Sequence, residues 1–492
     1  MEKIVEELQK QQNIRVNLSN LRQLIKDEKS CRKLAQIVEA DDAMWIGFLG
    51  NEDAKTRKNI ALLLGDISYQ PAAEALWDGY NREQTLFVKS SYLEALGKLD
   101  VEDKLPQFSA RVKELEQTPV GEENRKHVEE ELRALRKIII RYEGISRHTF
   151  SMKGKREVIL VTNRIHREVV RRGIPDMETR IHPLGVSAIC DSMEQLEKLR
   201  TYREILFPLE GQAFVEPDPR EAAESVLEAG LLDLLRELHE GDGAYYFRVE
   251  CRSDMTLSER SAFCKKFAAW LERSSGGALV NSTTDYEIEI RLVANKEGKL
   301  FPCVKCFTLK DRRFVYRRNA IATSIHPATA ALIMELARPY LRENAQAMDP
   351  FCGVGTMLIE RTRAVQAGDM YATDIFGDAI EMGRENAALA GVAINFIHRD
   401  FFDFTHDYLF DEMITNMPVR GKKTKEEMEA LYSDFFRKAP KLLKDNGVVI
   451  MYTNEIGFVK KQLRLHKEFT LLQETLMQSK GQFYLMILGV KG

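Results

Sequence analysis

Apolar and polar positions divide the 492-residue chain into a helical first part and a remainder in which strands and helices alternate. Up to about residue 145, apolar residues recur at spacings of three and four, as in Leu18, Leu21, Leu24 and Ile25. This spacing predicts one helix after another. From Glu157 onward, short apolar runs such as EVILVTNR alternate with helical segments. The pattern therefore predicts a multi-domain protein with α-helical, α+β and α/β parts.

The helical part contains an internal repeat. The segments DAKTRKNIALLLGDIS (53–68) and TLFVKSSYLEALGKLD (85–100) align with Gly65 opposite Gly97 and with a similar apolar rhythm. Their separation of 32 residues is typical of helical-hairpin repeats, and the pattern resembles HEAT repeats with an intervening helix at 74–80. Such a stack offers a docking surface for protein or RNA. Alternatively, it only packs against the rest of the chain as an extension and binds nothing.

The segment from about 156 to 322 predicts small α+β units. We expect strands at EVILVTNR, RIHPLGVSAIC, YYFRVE, DYEIEIRLVA and FPCVKCF, and helices at REVVRRG, MEQLEKLRTYREILFPL and 257–273. Cys303 and Cys306 form a CxxC, but no second pair follows at zinc spacing. We therefore predict two half-buried thiols in a strand and no metal site.

A basic segment, KDRRFVYRR at 310–318, interleaves five Lys or Arg residues with two aromatic residues. Cations bind phosphates and aromatic faces stack on unpaired bases, which favours RNA contact. A strand whose alternate residues, Phe314 and Tyr316, fill the core is the competing interpretation. The predicted RNA contacts of this segment are Lys310, Arg312, Arg313, Phe314, Tyr316, Arg317 and Arg318.

The last part of the chain is organised around AMDPFCGVGTMLIE at 347–360, which predicts a strand, a glycine turn and a helix. Gly353 and Gly355 allow backbone to approach a ligand, and the helix that begins at Thr356 offers unpaired N–H groups. Three further polar residues end successive predicted strands: Asp374, about 20 residues after the glycines, then Asp400 and Asn416. In an open parallel sheet such ends line one crevice, and an acid at the position of Asp374 reaches ribose hydroxyls.

This series resembles the class I S-adenosylmethionine-dependent methyltransferases, specifically the RNA methyltransferases with a THUMP domain ahead of the catalytic domain. DPFCGVGT is similar to their first motif, Asp374 to the ribose-binding acid, Asp400-Phe401 to the adenine-side motif, and 415–418 to the catalytic segment. The resemblance covers about residues 245–492. It implies three domains: HEAT-like repeats at 1–145, a ferredoxin-like plus THUMP-like RNA-binding region at 156–322, and a Rossmann-like methyltransferase domain with a seven-stranded sheet at 323–492. We place the linker at 144–155.

The resemblance also implies roles for individual residues. Asp349 and the glycine turn would hold the methionine part of S-adenosylmethionine, Asp374 the ribose and Asp400 the adenine amine. The predicted cofactor-binding residues are Asp349, Phe351, Gly353, Gly355, Thr356, Asp374, Ile375, Asp400, Phe401 and Asn416. His326, ahead of a helix that starts with Pro327, is expected to cap or pack rather than to catalyse.

Asn416 and Pro418 are the predicted catalytic residues. The side-chain oxygen of Asn416 and the carbonyl of Met417 would accept the two N–H bonds of an exocyclic base amine, and Pro418 would fix the turn. In isolation, TNMP is simply a strand end before a proline. The family usually has Pro or Leu in place of Met417 and an aromatic residue in place of Val419. Phe351 or Phe402 would then have to stack on the base, or the base is held loosely, or activity is lost.

Arg420, Lys422 and Lys423 follow this segment. They would bind phosphates beside a flipped base, or they form an ordinary charged loop. A net charge of −3 and a pI near 6.4 argue against indiscriminate coating of nucleic acid, although local basic patches remain compatible with RNA. Seven scattered cysteines and the lack of a long apolar stretch predict a cytoplasmic protein that does not enter membranes.

We therefore expect an RNA methyltransferase that modifies an exocyclic base amine, with guanine in tRNA as the first expectation and ribosomal RNA as the second. A non-catalytic RNA- or protein-binding scaffold with a degenerate methyltransferase fold is one alternative. A DNA adenine methyltransferase is another. The sequence leaves open the oligomeric state and whether the helical repeats bind a protein partner.

Overall fold

A computed structural model of the protein describes residues 1–118, 121–143, 148–209, 211, 214–421 and 423–491. The chain forms two compact units, Met1–Ser146 and Arg147–Gly492. The predicted linker at 144–155 lies partly outside the described residues, because these omit 144–147. In the described ranges, none of the helices has the length and apolar content needed to cross a membrane.

The amino-terminal unit is helical, as predicted. Its α-helices are α1 (Glu2–Gln9), α2 (Ile14–Leu24), α3 (Glu28–Ala40), α4 (Asp42–Gly47), α5 (Ala54–Asp66), α6 (Ala73–Arg82), α7 (Leu86–Leu96), α8 (Leu105–Gln117) and α9 (Glu122–Glu143). The two repeat segments form α5 and α7, and α6 is the intervening helix. Asp53 caps α5 by accepting from the N–H of Thr56 at 3.0 Å. A Cβ at Gly65 would lie 2.6 Å from the Cα of Ala95, so this glycine sets the close approach of α5 and α7.

The first part of the carboxy-terminal unit contains an eight-stranded sheet in the order β3-β4-β2-β5-β10-β9-β7-β8. Its strands and helices, with the small pair β1 and β6, are β1 (Thr149–Phe150), β2 (Arg156–Thr162), α10 (Arg167–Arg172), β3 (Thr179–His182), β4 (Gly185–Cys190), α11 (Glu194–Glu197), β5 (Tyr202–Pro208), α12 (Pro219–Glu228), α13 (Leu231–Leu238), β6 (His239–Glu240), β7 (Tyr245–Arg252), α14 (Leu257–Ser274), β8 (Leu279–Asn281), β9 (Ile288–Ala294) and β10 (Leu300–Cys306).

Two sequence predictions for this sheet were wrong. The segment RIHPLGVSAIC forms the hairpin β3–β4 rather than one strand, with its turn between His182 and Gly185. The predicted helix at 193–209 is only the single turn α11, and the rest is strand β5. Because β5 pairs with β2 on one side and with β10 on the other, tertiary pairing outweighs the leucine spacing that suggested a helix. Cys303 and Cys306 are buried in β10, more deeply than the half-burial we predicted.

The last part of the chain is a doubly wound α/β layer. Its elements are α15 (Pro327–Ala337), β11 (Ala345–Asp349), α16 (Thr356–Ala364), β12 (Ala367–Asp374), α17 (Gly377–Ala390), β13 (Asn395–His398), β14 (Phe410–Asn416), α18 (Lys425–Lys438), β15 (Leu443–Thr453), α19 (Ile456–Leu465), β16 (Phe469–Gln478) and β17 (Phe483–Val490). They form a seven-stranded sheet in the order β13-β12-β11-β14-β15-β17-β16. The strands β11 to β15 are parallel, and β17 is antiparallel to both of its neighbours.

The centre of this sheet is buried on both faces, as is usual for parallel strands covered by helices. Met348, Ile414 and Ile450, on three adjacent strands, are fully buried. Because β12 lies on one side of β11 and β14 on the other, the chain reverses its direction of progress across the sheet at β11. In open α/β sheets, the carboxyl ends of the strands at such a reversal are where ligands bind.

Candidate functional site

A cavity of about 480 Å³ opens at the carboxyl ends of β11, β12, β13 and β14. Asp349 ends β11, Asp374 ends β12, Asp400 follows β13, and Asn416 ends β14. All four side chains line the cavity. The parallel register of these strands brings together polar residues that are up to 67 positions apart in the sequence.

The glycine turn forms one wall of the cavity. The N–H of Gly353 donates to Asp374 Oδ2 at 2.8 Å, so the turn is bonded directly to the end of the next strand. Gly355 has a φ of +79° and is the cap residue of α16. A Cβ at Gly355 would lie 2.8 Å from Cζ of Phe396, which is buried. The turn therefore requires glycine at 355 for both conformation and space.

Asp349 is a buried acid with an unsatisfied oxygen. Its side chain is 1% exposed, and Oδ1 accepts from the N–H of Phe351 at 3.1 Å. Oδ2 is buried and has no hydrogen-bond partner among the described residues, and the same holds for the hydroxyl oxygen of Thr356. Burial, with the nearby charge of Asp374 adding to it, raises the pKa of Asp349 to about 8. A cationic group in the cavity would satisfy Oδ2 and favour the ionised carboxylate.

The raised pKa of Asp349 predicts a specific dependence of stability on pH. The folded protein holds this proton more tightly than the unfolded chain, where the pKa is near 3.8. The stabilisation is therefore complete below about pH 4 and is lost as the pH rises towards 8, at a slope of up to about 1.4 kcal/mol per pH unit. Denaturant unfolding of the unliganded protein from pH 4 to 9 should show this loss, whereas Asp349→Asn should lack it. Equal slopes for both proteins would contradict the buried proton.

A further part of the cavity lining is apolar and aromatic. Ile375 and Phe376, directly after Asp374, are exposed and line the cavity. Phe351 lies 5.7 Å from Phe401 and 6.3 Å from Phe402 between ring centroids. Asp400 Oδ1 accepts from the N–H of Phe402 at 2.9 Å, which leaves Oδ2 available. This wall suits a flat heterocycle that also carries a hydrogen-bond donor.

Asn416 lies at the mouth of the cavity. Its Nδ2 donates to the carbonyl of Thr323 at 3.4 Å, so a segment ahead of α15 lies across this end of the site. The N–H of Met417 donates to the carbonyl of Tyr452 at 2.9 Å, and the Met417 side chain is buried. Val419 is 39% exposed and lines the cavity without offering a ring.

Most of the predicted site residues meet at this cavity. Those that line it are Asp349, Phe351, Gly353, Thr356, Asp374, Ile375, Asp400, Phe401, Asn416, Pro418 and Lys423. Gly355 lies behind them in the turn. Arg420 donates through Nε to the carbonyl of Lys423 at 3.2 Å. Lys422 lies outside the described residues.

A strap at 319–325 lines the cavity through Ile321, Thr323, Ser324 and Ile325. The resemblance implied that the segment from Ser324 onward flanks the methionine end of the cofactor, but sequence reasoning missed the strap ahead of it, 319–323. Two hydrogen bonds of 3.0 Å tie Asn319 to the buried Asn386 on α17. No local pattern marks these residues, because their role depends on contacts across the fold. Sequence reasoning also missed Phe376. Its position two residues after Asp374, an acid at the end of a strand, could have indicated that it lines the cavity.

The basic segment 310–318 is neither a strand nor uniformly exposed, and two of its predicted RNA contacts are corrected. Arg313 is 6% exposed and donates to the carbonyls of Leu199 and Tyr202 at 3.1 and 2.9 Å. Tyr316 is 2% exposed and its hydroxyl donates to Glu360 at 2.6 Å. Both side chains are therefore built into the interior and are not accessible to RNA. Lys310, Arg312 and Arg318 are exposed, and Phe314 and Arg317 are half-buried.

This correction predicts that Tyr316→Phe affects stability and not RNA binding. Loss of the hydrogen bond to Glu360 should lower the free energy of unfolding by about 1–2 kcal/mol. Tyr340→Phe is the matched control, since no hydrogen bond of its hydroxyl is found in the described ranges. Denaturant melts and titrations with RNA would measure the two effects. Weaker RNA binding without a stability change would restore Tyr316 as a contact.

His326 caps α15, as expected: its Nδ1 accepts from the N–H of Ala328 at 3.1 Å. A further network joins the middle region to α16, where Arg200 donates to Glu360 at 2.9 and 2.7 Å and to the carbonyl of Arg313 at 2.7 Å. Glu360 is fully buried, so Arg200 and Tyr316 provide its charge and hydrogen-bond partners. Within this unit, the network fixes the position of the strap relative to the helix that follows the glycine turn.

Comparison with known proteins found relatives of the part of the chain that contains the cavity. Residues 320–486 match the family model of the methyltransferase small domain. The chain is 30% identical over 159 residues to a tRNA (guanine(6)-N2)-methyltransferase of Thermus thermophilus, covering 31% of this chain and 46% of the relative. It is 24% identical over 202 residues to a tRNA (guanine(10)-N2)-dimethyltransferase of Methanothermobacter thermautotrophicus, covering 37% and 56%. The chain thus spans about half the length of the curated relatives it matches.

Among solved structures, a methyltransferase complexed with SAH aligns with a TM-score of 0.50 and 16% identity, covering 69% of this chain and 99% of that chain. This likeness concerns the fold alone. The cavity and every described residue assigned to it lie within residues 320–486, which the family model matches. The carboxy-terminal part of the chain is thus related to the methyltransferase small domains.

Proposed function

We propose that the protein is an RNA methyltransferase that transfers a methyl group from S-adenosylmethionine to the exocyclic amine of guanine in tRNA. The observation that carries the proposal is the convergence of Asp349, Asp374, Asp400 and Asn416 on one cavity at the reversal point of the sheet. The two relatives named above act on the N2 amine of guanine in tRNA according to their names. Ribosomal RNA is the second candidate substrate.

The cavity has the donors and acceptors that S-adenosylmethionine requires. The unsatisfied Oδ2 of Asp349 would accept from the cofactor's ammonium group, and the first N–H groups of α16 would hold its carboxylate. Asp374 would accept from the ribose hydroxyls, and Ile375 and Phe376 would cover the adenine while Asp400 accepts from its amine. When bound, the cofactor supplies an electrophilic methyl group on a positively charged sulfur. Three carboxylates at the cavity suit that charge.

Asn416 and Pro418 would orient the acceptor. The lone pair of an exocyclic amine is delocalised into the base, so the amine is a weak nucleophile. Hydrogen bonds from its two N–H groups to Asn416 Oδ1 and the Met417 carbonyl would turn that lone pair towards the methyl group. Alignment of this kind supplies most of the gain in a displacement at carbon. Because Val419 has no ring, Phe351 and Phe402 are the cavity aromatics available for stacking on the base.

For the other domains, we propose that 156–322 is a ferredoxin-like plus THUMP-like RNA-binding region and that 1–145 is a HEAT-like repeat array. The eight-stranded sheet and the helical unit are compatible with these assignments. The repeat array would offer its polar faces to a partner protein.

The proposal is tested by calorimetric binding of S-adenosylmethionine, followed by transfer of tritiated methyl groups to separate pools of tRNA, ribosomal RNA and DNA. We expect binding, and label in tRNA that digestion locates in N2-methylguanosine. The missing ring at Val419 favours one competing function, a non-catalytic scaffold. Cofactor binding without transfer to any pool would support that scaffold, and label in DNA adenine would replace the RNA assignment.

A further inference from the structure

Several cations of β5 and of the basic segment 310–318 have no acidic partner among the described residues. Two arginines of this region are neutralised, Arg200 by Glu360 and Arg313 by Asp311. Arg203, Arg317, Lys310 and Arg312 form no ion pair within the described part of the chain. We call these four residues the basic track.

Arg203 links the middle region to the methyltransferase domain. It is exposed on β5, and its Nη2 donates to the hydroxyl of Thr329 on α15 at 3.3 Å. The adjacent Glu204 does not neutralise it, because Glu204 pairs with Arg291 and, at 2.8 Å, with Lys305. Arg203 also lines a cavity of about 240 Å³ together with Lys310 and Arg312. Three of the four track residues therefore share one surface depression.

Arg317 carries an uncompensated charge in a partly buried place. Its Nε is buried and lacks a hydrogen-bond partner among the described residues. Burial lowers the pKa of its guanidinium, so the surroundings disfavour the charge. A buried charge without a counter-ion is costly, and an anion that binds beside it removes that cost.

His326 caps α15, the helix that Arg203 contacts through Thr329, and it stays uncharged at neutral pH. Burial, with the charges of Arg203, Arg317 and Arg313 adding to it, lowers the pKa of His326 to about 4, and Glu204 alone opposes the change. His326 is also the cap residue of α15, which begins at Pro327. The local field is thus positive, and at neutral pH the histidine neither adds to it nor cancels it.

The track ends at the proposed acceptor site. Thr323, three residues before His326, accepts from Asn416 Nδ2. Tyr452 is paired with Asn416 in the sheet, and Arg203 is close enough to oppose the rise in the pKa of Tyr452, which burial takes to about 12. Arg203 is bonded to Thr329 in the first turn of α15, and Arg317 precedes the cavity-lining Ile321 by four residues, so both adjoin the segment that contacts Asn416.

We propose that Arg203 and Arg317 form a phosphate-binding site for the substrate RNA strand beside the target nucleotide, and that Lys310 and Arg312 extend this site along the strand. The proposal rests on the proposed function, since it names how the same site holds its substrate. The basic segment 310–318 then has two separate roles. Its residues Arg313 and Tyr316 stabilise the fold. Its residue Arg317 binds RNA together with Arg203, which lies on strand β5.

The test compares wild type, Arg203→Gln, the double variant Arg203→Gln/Arg317→Gln, and Arg464→Gln as a charge-matched control on the exposed end of α19. Binding of total tRNA is measured over a series of salt concentrations, with S-adenosylmethionine affinity and thermal melts alongside. Each phosphate contact contributes about 0.7 to 0.9 to the slope of log affinity against log salt. We expect the slope to fall by about 0.7–0.9 in the single variant and about 1.4–1.8 in the double variant. Cofactor affinity should not change.

The exposed Arg203→Gln keeps the test decisive if the double variant folds poorly. A slope equal to that of Arg464→Gln would overturn the phosphate site, and so would a wild type that binds no RNA. The first outcome leaves the proposed function standing, whereas a wild type that binds no RNA would overturn both proposals. If wild type binds RNA with the expected slope differences but transfers no methyl group, the phosphate site stands and the catalytic assignment fails.

Discussion

Asn416→Ala is expected to reduce methyl transfer to tRNA by about a hundredfold or more, with S-adenosylmethionine affinity unchanged. The variant removes the side-chain oxygen that would accept from the base amine. It also removes the hydrogen bond from Nδ2 to the carbonyl of Thr323, which is long at 3.4 Å and contributes little to the fold. The fall should therefore appear in the transfer rate under single-turnover conditions at saturating RNA.

Asn454→Ala provides the matched control for this variant. Asn454 directly follows β15, the strand next to β14, and does not line the cavity. It should retain the wild-type rate. Full transfer by Asn416→Ala would remove Asn416 from the reaction, whereas loss of cofactor binding in that variant would indicate that Asn416 shapes the cofactor half of the cavity instead.

Gly355→Ala is expected to destabilise the carboxy-terminal α/β domain by about 2–4 kcal/mol and to abolish binding of S-adenosylmethionine at micromolar concentrations. The backbone at 355 has a φ of +79°, which disfavours any residue with a Cβ. The new methyl group would also lie 2.8 Å from the ring of Phe396. That ring is buried and packs closely against Gly383 as well, where a Cβ would lie 2.6 Å from it.

The matched substitution is Gly457→Ala in α19. Gly457 has open space around its Cβ position and helical geometry, so alanine there should be neutral or slightly stabilising. Scanning calorimetry can follow the transition that S-adenosylmethionine shifts in wild type, since that transition belongs to the domain with the cavity. If Gly355→Ala melts like Gly457→Ala, the turn has more room than the structure indicates.

Much of the carboxy-terminal domain could be predicted from the sequence. The helix at Pro327–Ala337, the parallel strands ending at Asp349, Asp374 and Asn416, and the closing pair β16–β17 all follow from short-range periodicity and turn residues. The same information located the cavity, because parallel strands bring their carboxyl ends to one edge whatever the details of packing. The match of 320–486 to the family model of the methyltransferase small domain agrees with the class that the resemblance implied for this region.

The middle region was harder to predict. The segment 193–209 has leucines at 196, 199, 206 and 209, a spacing that fits a helix, yet its part 202–208 is the strand that joins two halves of an eight-stranded sheet. Its conformation depends on partners about 45 and 95 residues away in the sequence. Local patterns cannot contain that information, because strand propensity is largely a matter of what lies on either side.

For this protein, the sequence alone determined the order of the elements, the strand ends that carry polar residues and the glycine turn between β11 and α16, because each depends on neighbouring residues. Only the tertiary structure decided which basic residues are available to a substrate. Arg313 and Tyr316 look like RNA contacts in the sequence, but burial places them in ion pairs and hydrogen bonds of the interior. Arg203 was not noticed in the sequence, yet the fold leaves it exposed, without an acidic partner, in one surface depression with Lys310 and Arg312. Accessibility and charge compensation arise from contacts between distant segments, which the order of residues does not reveal.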